Sequence, residues 1–482
     1  MLSLAIIIEA ITGVRAAEIP LLGGVVRPTD VLIPEAVIDS RRAIPGALFI
    51  ALPGEKTDGH DYVQAAFDAG AALAIVHRPV AGHPELDLRH GLPSAGLQGL
   101  PPDGPFCVRV GDSLEAMQQI ARIWRSKLNL EVIGITGSVG KSTTKETVAD
   151  VLEQRFHTLR NEGNLNNEIG LPLTILRATE QHRRAVLEMG FYVPGEISFL
   201  CEIARPRIGI VTNVGTVHAE RAGTQEAIAR GKSELVQALP EDGTAILNYD
   251  DAWVRGMAQH TQARVFFYGR DARADLWVDR IEGLGLRGMR FRLHYRDEVI
   301  PMHIPALGYP AVDSALRAAA AGLMAGLSWD QIKRGLVSGR TQLRMNASHN
   351  GRGALILDDT YNAAPESTVA ALNLLADLHG RKVAVLGDML ELGPYEEEGH
   401  IQVGKRSAEV AEELITVGKR ARTIARIARQ EGMPHQHIAE YADSQQAAEG
   451  LANRFQDGDV VLIKGSHGVH METIVAALEG EG

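Results

Sequence analysis

The 482 residues are 45% hydrophobic and 23% charged, the composition of an ordinary globular protein rather than a disordered one. At about 150 residues per domain the length suggests about three domains. A formal net charge of −11 argues against a nucleic-acid backbone or an anionic membrane as the main partner, and the two distant cysteines, Cys107 and Cys201, make neither a disulfide framework nor a metal cage and suit a reducing cytoplasm.

The chain opens MLSLAIIIEAITGVRAAE. The segment before the apolar run has no Lys or Arg, and Glu9 interrupts the run, so a signal peptide is not expected. Leu4, Ile7, Ile8 and Ile11 instead fit one face of a short helix. No apolar stretch approaches the ~20 residues of a membrane span. From 37 to 77, apolar runs with Gly/Pro turns and a helix-like QAAFDAGAA suggest a small α/β unit. The Pro/Gly-rich stretch 79–105 reads as a surface loop, and FCVRVGD (106–112) as the closing strand.

A helix over Leu114–Leu128 follows. Apolar runs then recur at VIGIT (132–136), AVLEM (185–189), IGIVTNV (208–214), AILNY (245–249), ALILDD (354–359), VAVLGDM (383–389), LITVG (414–418) and VVLIKGS (460–466). Buried strands alternating with helices predict α/β domains with mostly parallel sheets. Most of these runs end in small or polar residues, as ligand sites at the carboxyl ends of strands require.

GITGSVGKSTTKE (134–146) follows a strand and opens a helix. Gly137 and Gly140 let backbone N–H groups turn inward around phosphate oxygens. Lys141 is placed to neutralise the β- and γ-phosphates and the Ser142 hydroxyl to coordinate Mg²⁺. The usual phosphate-loop string is not met, because Ile135 stands where its first Gly belongs. Glu188 ends the AVLEM strand and is a candidate for a Mg²⁺ shell. A lone histidine is more often structural than a ligand, but His218 lies just past the IGIVTNV strand, the second strand to finish near the phosphate loop.

These strings, together with NLNNEIGLPLTIL (164–176), EMGFYVPGEI (188–197), VTNVGTVHAERAGTQEAIARGKSEL (211–235), SGR (338–340), LDDTYNAAPESTVAAL (357–372), LGDMLELGPYEEEGH (386–400) and KGS (464–466), resemble the Mur ligase family across essentially the whole chain. DSRRAIPGALFIALPGEKTDGH (39–60) resembles the part that holds the UDP-sugar in the longer members, and DDTYNAAP with LGDMLELG is similar to the branch that adds D-alanyl-D-alanine. The zinc-ribbon relatives need four cysteines, which this chain lacks.

The resemblance implies three α/β domains. Residues 1–111 would bind the UDP-N-acetylmuramoyl tripeptide, 112–336 would form a central P-loop-type domain with a mostly parallel sheet for ATP, and 337–482 a Rossmann-like domain for the dipeptide. It implies ligation through an acyl-phosphate, with ATP and Mg²⁺ as cofactors, in a cytoplasmic monomer. By the same resemblance the loop from Gly137 through Ser138, Val139, Gly140, Lys141 and Ser142 to Thr143 binds the nucleotide. Glu188 and Ser142 would hold one Mg²⁺, His218 another, and Lys232 would join them as a carbamate. Arg340 and Asp359 would reach ATP, Asn362 and Asp388 the dipeptide, and Ser40, Arg41, Asp58 and His60 the UDP-sugar.

Two departures stand out. Val139 replaces an Asn and Ser142 a Thr. On the adenine side, Gly308-Tyr309-Pro310-Ala311-Val312-Asp313-Ser314 replaces a segment with one His and two Asn, so relaxed recognition of the base is expected. A related amide ligase with another acyl acceptor, and a scaffold that kept the fold without catalysis, are the alternatives.

Overall fold

The computed structural model describes residues 1–54, 57–93, 97–102, 104–216, 219–338 and 346–480. They fall into two compact units. One holds Met1–Gly134, Phe156–Gly190 and Ser198–Pro206, the other Ile135–Arg155, Phe191–Ile197 and Arg207–Gly482.

In the first unit the expected opening helix is Leu4–Thr12, with Leu4, Ala5, Ile7 and Ile8 buried. It stops at Gly13, whose φ of 74° suits glycine and whose N–H donates to the Glu9 carbonyl. A five-stranded parallel sheet runs in the order Ala36–Val37, Leu48–Ile50, Leu73–Val76, Phe106–Arg109, Glu85–Asp87. Helix Val63–Asp68 packs Val63, Ala66 and Phe67 onto its Phe49, Ala74, Val76 and Cys107.

The stretch 79–105 is more than a surface loop. It contains strand Glu85–Asp87, and Leu86, Leu88, Leu97 and Leu100 are buried. Three residues are too few to show a period. What fixes the strand is Arg109, far along the chain, whose guanidinium meets Glu85 and Asp87, each at 2.9 Å. The helix Ser113–Lys127 begins where the Asp112 side chain accepts the Glu115 N–H at 2.8 Å, and Arg125 and Lys127 close its last turn with the charge its dipole favours.

The second unit carries two sheets. One orders Glu298–Ile304, Met289–Tyr295, Leu276–Gly283, Arg264–Gly269, Thr244–Asn248 and Ile208–Val211. Its first two pairings are antiparallel and the others parallel. The three-stranded meander Leu276–Ile304 shows no continuous apolar run in the sequence. Its strands alternate, as in Glu298–Ile304, where Ile300, Met302 and Ile304 are buried between exposed neighbours. Half-buried strands offer no continuous apolar run. Pro301 stands in the middle of that outermost strand, opposite Arg292.

The other sheet orders Asn346–His349, Leu355–Asp359, Asp459–Lys464, Arg381–Gly387, Glu413–Val417 and Ile438–Tyr441, parallel except for the first strand. Asp459–Lys464 is buried along its whole length. Apolar layers cover both faces, one around Leu372, Leu386 and Leu414, the other around Val385, Ile415 and Ile463. This is the doubly wound arrangement expected of the last third.

Candidate active site

Strand Glu131–Thr136 feeds the phosphate loop, which leads into helix Lys141–Leu152. The segment following strand Ile208–Val211 holds the loop in shape. The Ser138 N–H donates to the Asn213 carbonyl at 3.0 Å, and the Gly215 N–H donates to Ser138 Oγ at 2.9 Å. Asn213 Oδ1 accepts the Val139 N–H at 2.9 Å. The Val139 carbonyl in turn accepts Thr212 Oγ1–H at 2.7 Å and Asn213 Nδ2–H at 3.0 Å. Val139 is thus fixed by its backbone, and the loop keeps its shape without an Asn side chain there.

Gly137, at φ 146°, admits no other residue, because a Cβ would stand 1.8 Å from Thr212 Oγ1. Gly140 is the N-cap at φ 83°, and the positive end of the helix dipole faces the loop. Lys141 Nζ donates to the carbonyls of Gly137 at 2.8 Å and Ser138 at 3.2 Å. Ser142 and Thr143 lie half-buried in the first helical turn. The clamp residues Thr212 and Asn213 carried no signal of their own in the sequence; the polar end of an apolar run was the only hint.

Lys232, in helix Gln225–Gln237, is fully buried. Its Nζ lies 4.8 Å from the Phe191 ring centroid and has no hydrogen-bond partner among the described residues. Burial, and secondarily the charge of Lys141, hold its amine well below the usual lysine range. The loop and this lysine therefore share one electrostatic environment. An uncharged, desolvated amine is a nucleophile, unlike an exposed helix lysine.

In the C-terminal sheet, Asp359 and Lys464 end neighbouring parallel strands. Lys464 Nζ is buried and donates to Asp359 Oδ2 at 2.7 Å and to the Asn362 carbonyl at 2.8 Å. Lys464 belongs to the KGS string but was given no role by the sequence. Asn362 itself is exposed. Asp388 is buried, its Oδ1 accepting the Ala421 N–H at 2.7 Å at the start of helix Arg422–Gln430, with Arg420 3.9 Å from Oδ2. This carboxylate ties the end of strand Arg381–Gly387 to the start of that helix.

In the first unit, Glu188 is buried. Its Oε1 accepts Asn166 Nδ2–H at 2.8 Å, and Asn161 bonds its backbone N–H and carbonyl, both at 3.0 Å. Asp58 Oδ1 accepts His60 Nδ1–H at 2.6 Å and the His60 N–H at 2.9 Å, while His60 Nε2 accepts the His77 N–H at 3.0 Å. Both ring nitrogens of His60 are spent inside the fold, and burial holds the imidazole below its ordinary pKa. Ser40 is buried. Arg41 projects outward, its guanidinium on Asp39 at 2.6 Å, which with the Arg41 N–H draws that carboxyl down to about 2.

At the adenine-side segment, Gly308 precedes helix Tyr309–Met324. Arg270 lies 5.0 Å over the Tyr309 ring and meets the Asp313 carboxylate at 3.2 Å. His218 and Arg340 lie outside the described residues.

Three segments match described protein families: the Mur ligase middle domain over residues 135–322, the Mur ligase glutamate ligase domain over 339–467, and the Mur ligase family catalytic domain over 35–90. The UDP-N-acetylmuramoyl-tripeptide–D-alanyl-D-alanine ligase of Mycobacterium leprae is 37% identical, the match covering 92% of each chain. The chain belongs to the Mur ligase family. Among solved members, MurF from Acinetobacter baumannii superposes with a TM-score of 0.80 at 30% identity, over 93% of this chain and 94% of that one. MurF ligase from Thermotoga maritima, solved in complex with ADP, gives 0.78 at 28% identity over 94% and 98%. This Mur ligase shares their three-domain α/β architecture. No described helix is long and apolar enough to cross a membrane.

Proposed function

We propose that this Mur ligase adds D-alanyl-D-alanine to a UDP-N-acetylmuramoyl tripeptide at the expense of ATP. One observation carries the reading: a phosphate loop clamped by Thr212 and Asn213, in a chain matched nearly end to end by a ligase of that name. Seven relatives at 32–37% identity bear that name, which favours the tripeptide over another acyl acceptor.

The tripeptide's terminal carboxylate attacks the γ-phosphorus of ATP, and the bond to the ADP oxygen breaks. The dipeptide's amine then attacks the acyl-phosphate carbonyl, loses a proton, and displaces phosphate. The first step brings two anions together, so positive charge must be in place beforehand. Lys141 supplies it by exchanging loop carbonyls for phosphate oxygens, and the Gly140 helix terminus adds its dipole.

Mg²⁺ supplies further positive charge when bound. By resemblance three residues would hold it, and the chemistry of each suits the ion: Ser142 would offer a hydroxyl, Glu188 a carboxylate whose Oε1 is held by Asn166, and Lys232 a buried amine able to capture CO₂. In that capture the neutral amine nitrogen bonds the CO₂ carbon and releases one proton, so the amine becomes an anionic oxygen ligand. His218 belongs with them by resemblance. We assign the UDP-sugar peptide to residues 1–111, ATP to 112–336 with Arg340 and Asp359 reaching it, and the dipeptide to 337–482 around Asn362.

Phosphate release measured with each substrate omitted in turn tests this. Release is expected only when ATP, the UDP-muramoyl tripeptide and D-alanyl-D-alanine are all present. Release with a different acyl acceptor, or none with any nucleotide, would overturn it.

A further inference from the structure

A second cation lies behind the phosphate loop. Arg317 is in helix Tyr309–Met324, in the run Ala315-Leu316-Arg317-Ala318-Ala319-Ala320-Ala321, where every neighbour is small or apolar. The side chain is 4% exposed. Its Nε donates to the Asp313 carbonyl at 2.8 Å. Its Nη1 is buried and has no hydrogen-bond partner among the described residues.

The guanidinium points at the loop. A Cβ built on Gly140 would stand 3.2 Å from Nη1 and 3.8 Å from Nη2. Beneath lies the Tyr268 ring, 5.8 Å from Arg317 Cζ. The Tyr268 hydroxyl donates to the Thr212 carbonyl at 3.2 Å, and Thr212 is the residue that grips Val139. The nearby carboxylate, Asp313, is already committed to Arg270.

A buried guanidinium stays charged, and a buried charge is unfavourable until an anion completes it. Its planar fork suits phosphate. We propose that Arg317 is a phosphate-positioning residue, a cation stored behind Gly140 whose unspent N–H and charge hold the loop for the polyphosphate of a nucleoside triphosphate. The proposal rests on the ATP-dependent reading above. Arg317 acts through the Gly140 peptide, and its contribution grows with the number of phosphates on the ligand.

Calorimetric titration of the full chain with ATP, ADP, AMP and adenosine tests it on the wild type, Arg317→Met and Arg317→Lys. Loss of one charge-assisted hydrogen bond weakens binding by roughly 10- to 100-fold. That loss is expected for ATP and ADP with Arg317→Met, with adenosine unchanged, and Arg317→Lys should restore most of it. The KM for ATP should rise while kcat at saturation holds. Arg317→Met binding ADP as the wild type does, or losing adenosine equally, would overturn the proposal and leave a packing role. If Arg317→Met does not fold, Arg317→Gln takes its place with the same expected pattern, and failure of both to fold also overturns it. A wild type that binds none of the four ligands would instead sink the nucleotide reading.

Discussion

Lys141 spends its ammonium on two loop carbonyls, whereas Lys232 is sealed against Phe191 with no partner among the described residues. Replacing Lys141 with Ala removes charge at the transferred phosphoryl group but little packing. We expect kcat/KM to fall by about 10²- to 10³-fold, with a melting temperature within about 2 °C of the wild type. Normal turnover in a folded Lys141→Ala would remove the loop from the mechanism. Lys232 behaves oppositely. Its folded pKa lies below the unfolded value of 10.5, so between the two the unfolded chain holds a proton that the folded chain lacks. Stability contributed at this position therefore rises with pH through that window and is lost as pH falls through it. Lys232→Met, matched in shape and free of the ionisation, is expected to melt roughly 2–4 °C higher in CO₂-free buffer near neutrality, yet to be inactive. With ¹³C-bicarbonate, the wild type should show a carbamate carbon signal that the variant lacks. A lower melting temperature, or a signal in both, counts against the carbamate. The loop was legible from GSVGKS because phosphate chemistry fixes residue type and spacing locally. Thr212, Asn213 and Lys464 were not singled out, since their roles come from hydrogen bonds to segments far along the chain. Asp58 and His60 were expected at the UDP-sugar by resemblance alone, and only the His77 N–H on Nε2 shows where the second ring nitrogen is spent.

Parallel strands buried on both faces wrote themselves into the sequence as apolar runs, and all eight runs are strands. The meander Leu276–Ile304 was missed because its burial alternates, and Glu85–Asp87 because three residues carry no period. The junction of strand and loop makes its own prediction. Gly137→Ala places a methyl group against Thr212 Oγ1 and should abolish ATP binding. Adding Thr212→Ala removes the 1.8 Å contact with Oγ1 but leaves the Thr212 Cβ 2.9 Å away and the backbone strain at φ 146°. We expect the double variant to recover part of the affinity, with a coupling of about 0.5–3 kcal/mol by calorimetry. Strict additivity would mean that the two residues do not meet. At the start of helix Tyr309–Met324, Arg270 over Tyr309 offers a flat cationic stack, and Asp313 is occupied by its ion pair. Stacking accepts any purine. Turnover with GTP within about tenfold of that with ATP is expected, since one lost directed hydrogen bond is worth about 1 kcal/mol; strict ATP selectivity in parallel titrations would contradict this.

Length alone led to about three domains, and the solved relatives share that architecture. How the last sheet's loops meet the phosphate-loop region of the second unit was not legible, because the touching residues belong to unrelated strings. Gly393, at φ 52°, is one such residue: a Cβ there would lie 2.7 Å from the backbone of Glu220, in helix Ala219–Ala222. A Cβ on Gly215 would lie 3.0 Å from Glu366 Oε1. Gly393→Ala should prise this contact open. Hydrogen exchange is expected to quicken in peptides covering helix Gln225–Gln237 while the strand Asp459–Lys464 stays protected, and unchanged exchange in both would show the contact to be incidental. The outermost strand Glu298–Ile304 has a consequence of another kind. A bare sheet edge is a template on which a second chain can add a strand. Here Pro301 deletes a donor from the middle of that edge, and Glu298, Val299 and His303 crowd it with exposed side chains. A crowded cell can bring two such edges together, but the ladder they would need to share is broken on both, so the meander terminates growth of the sheet instead of seeding it.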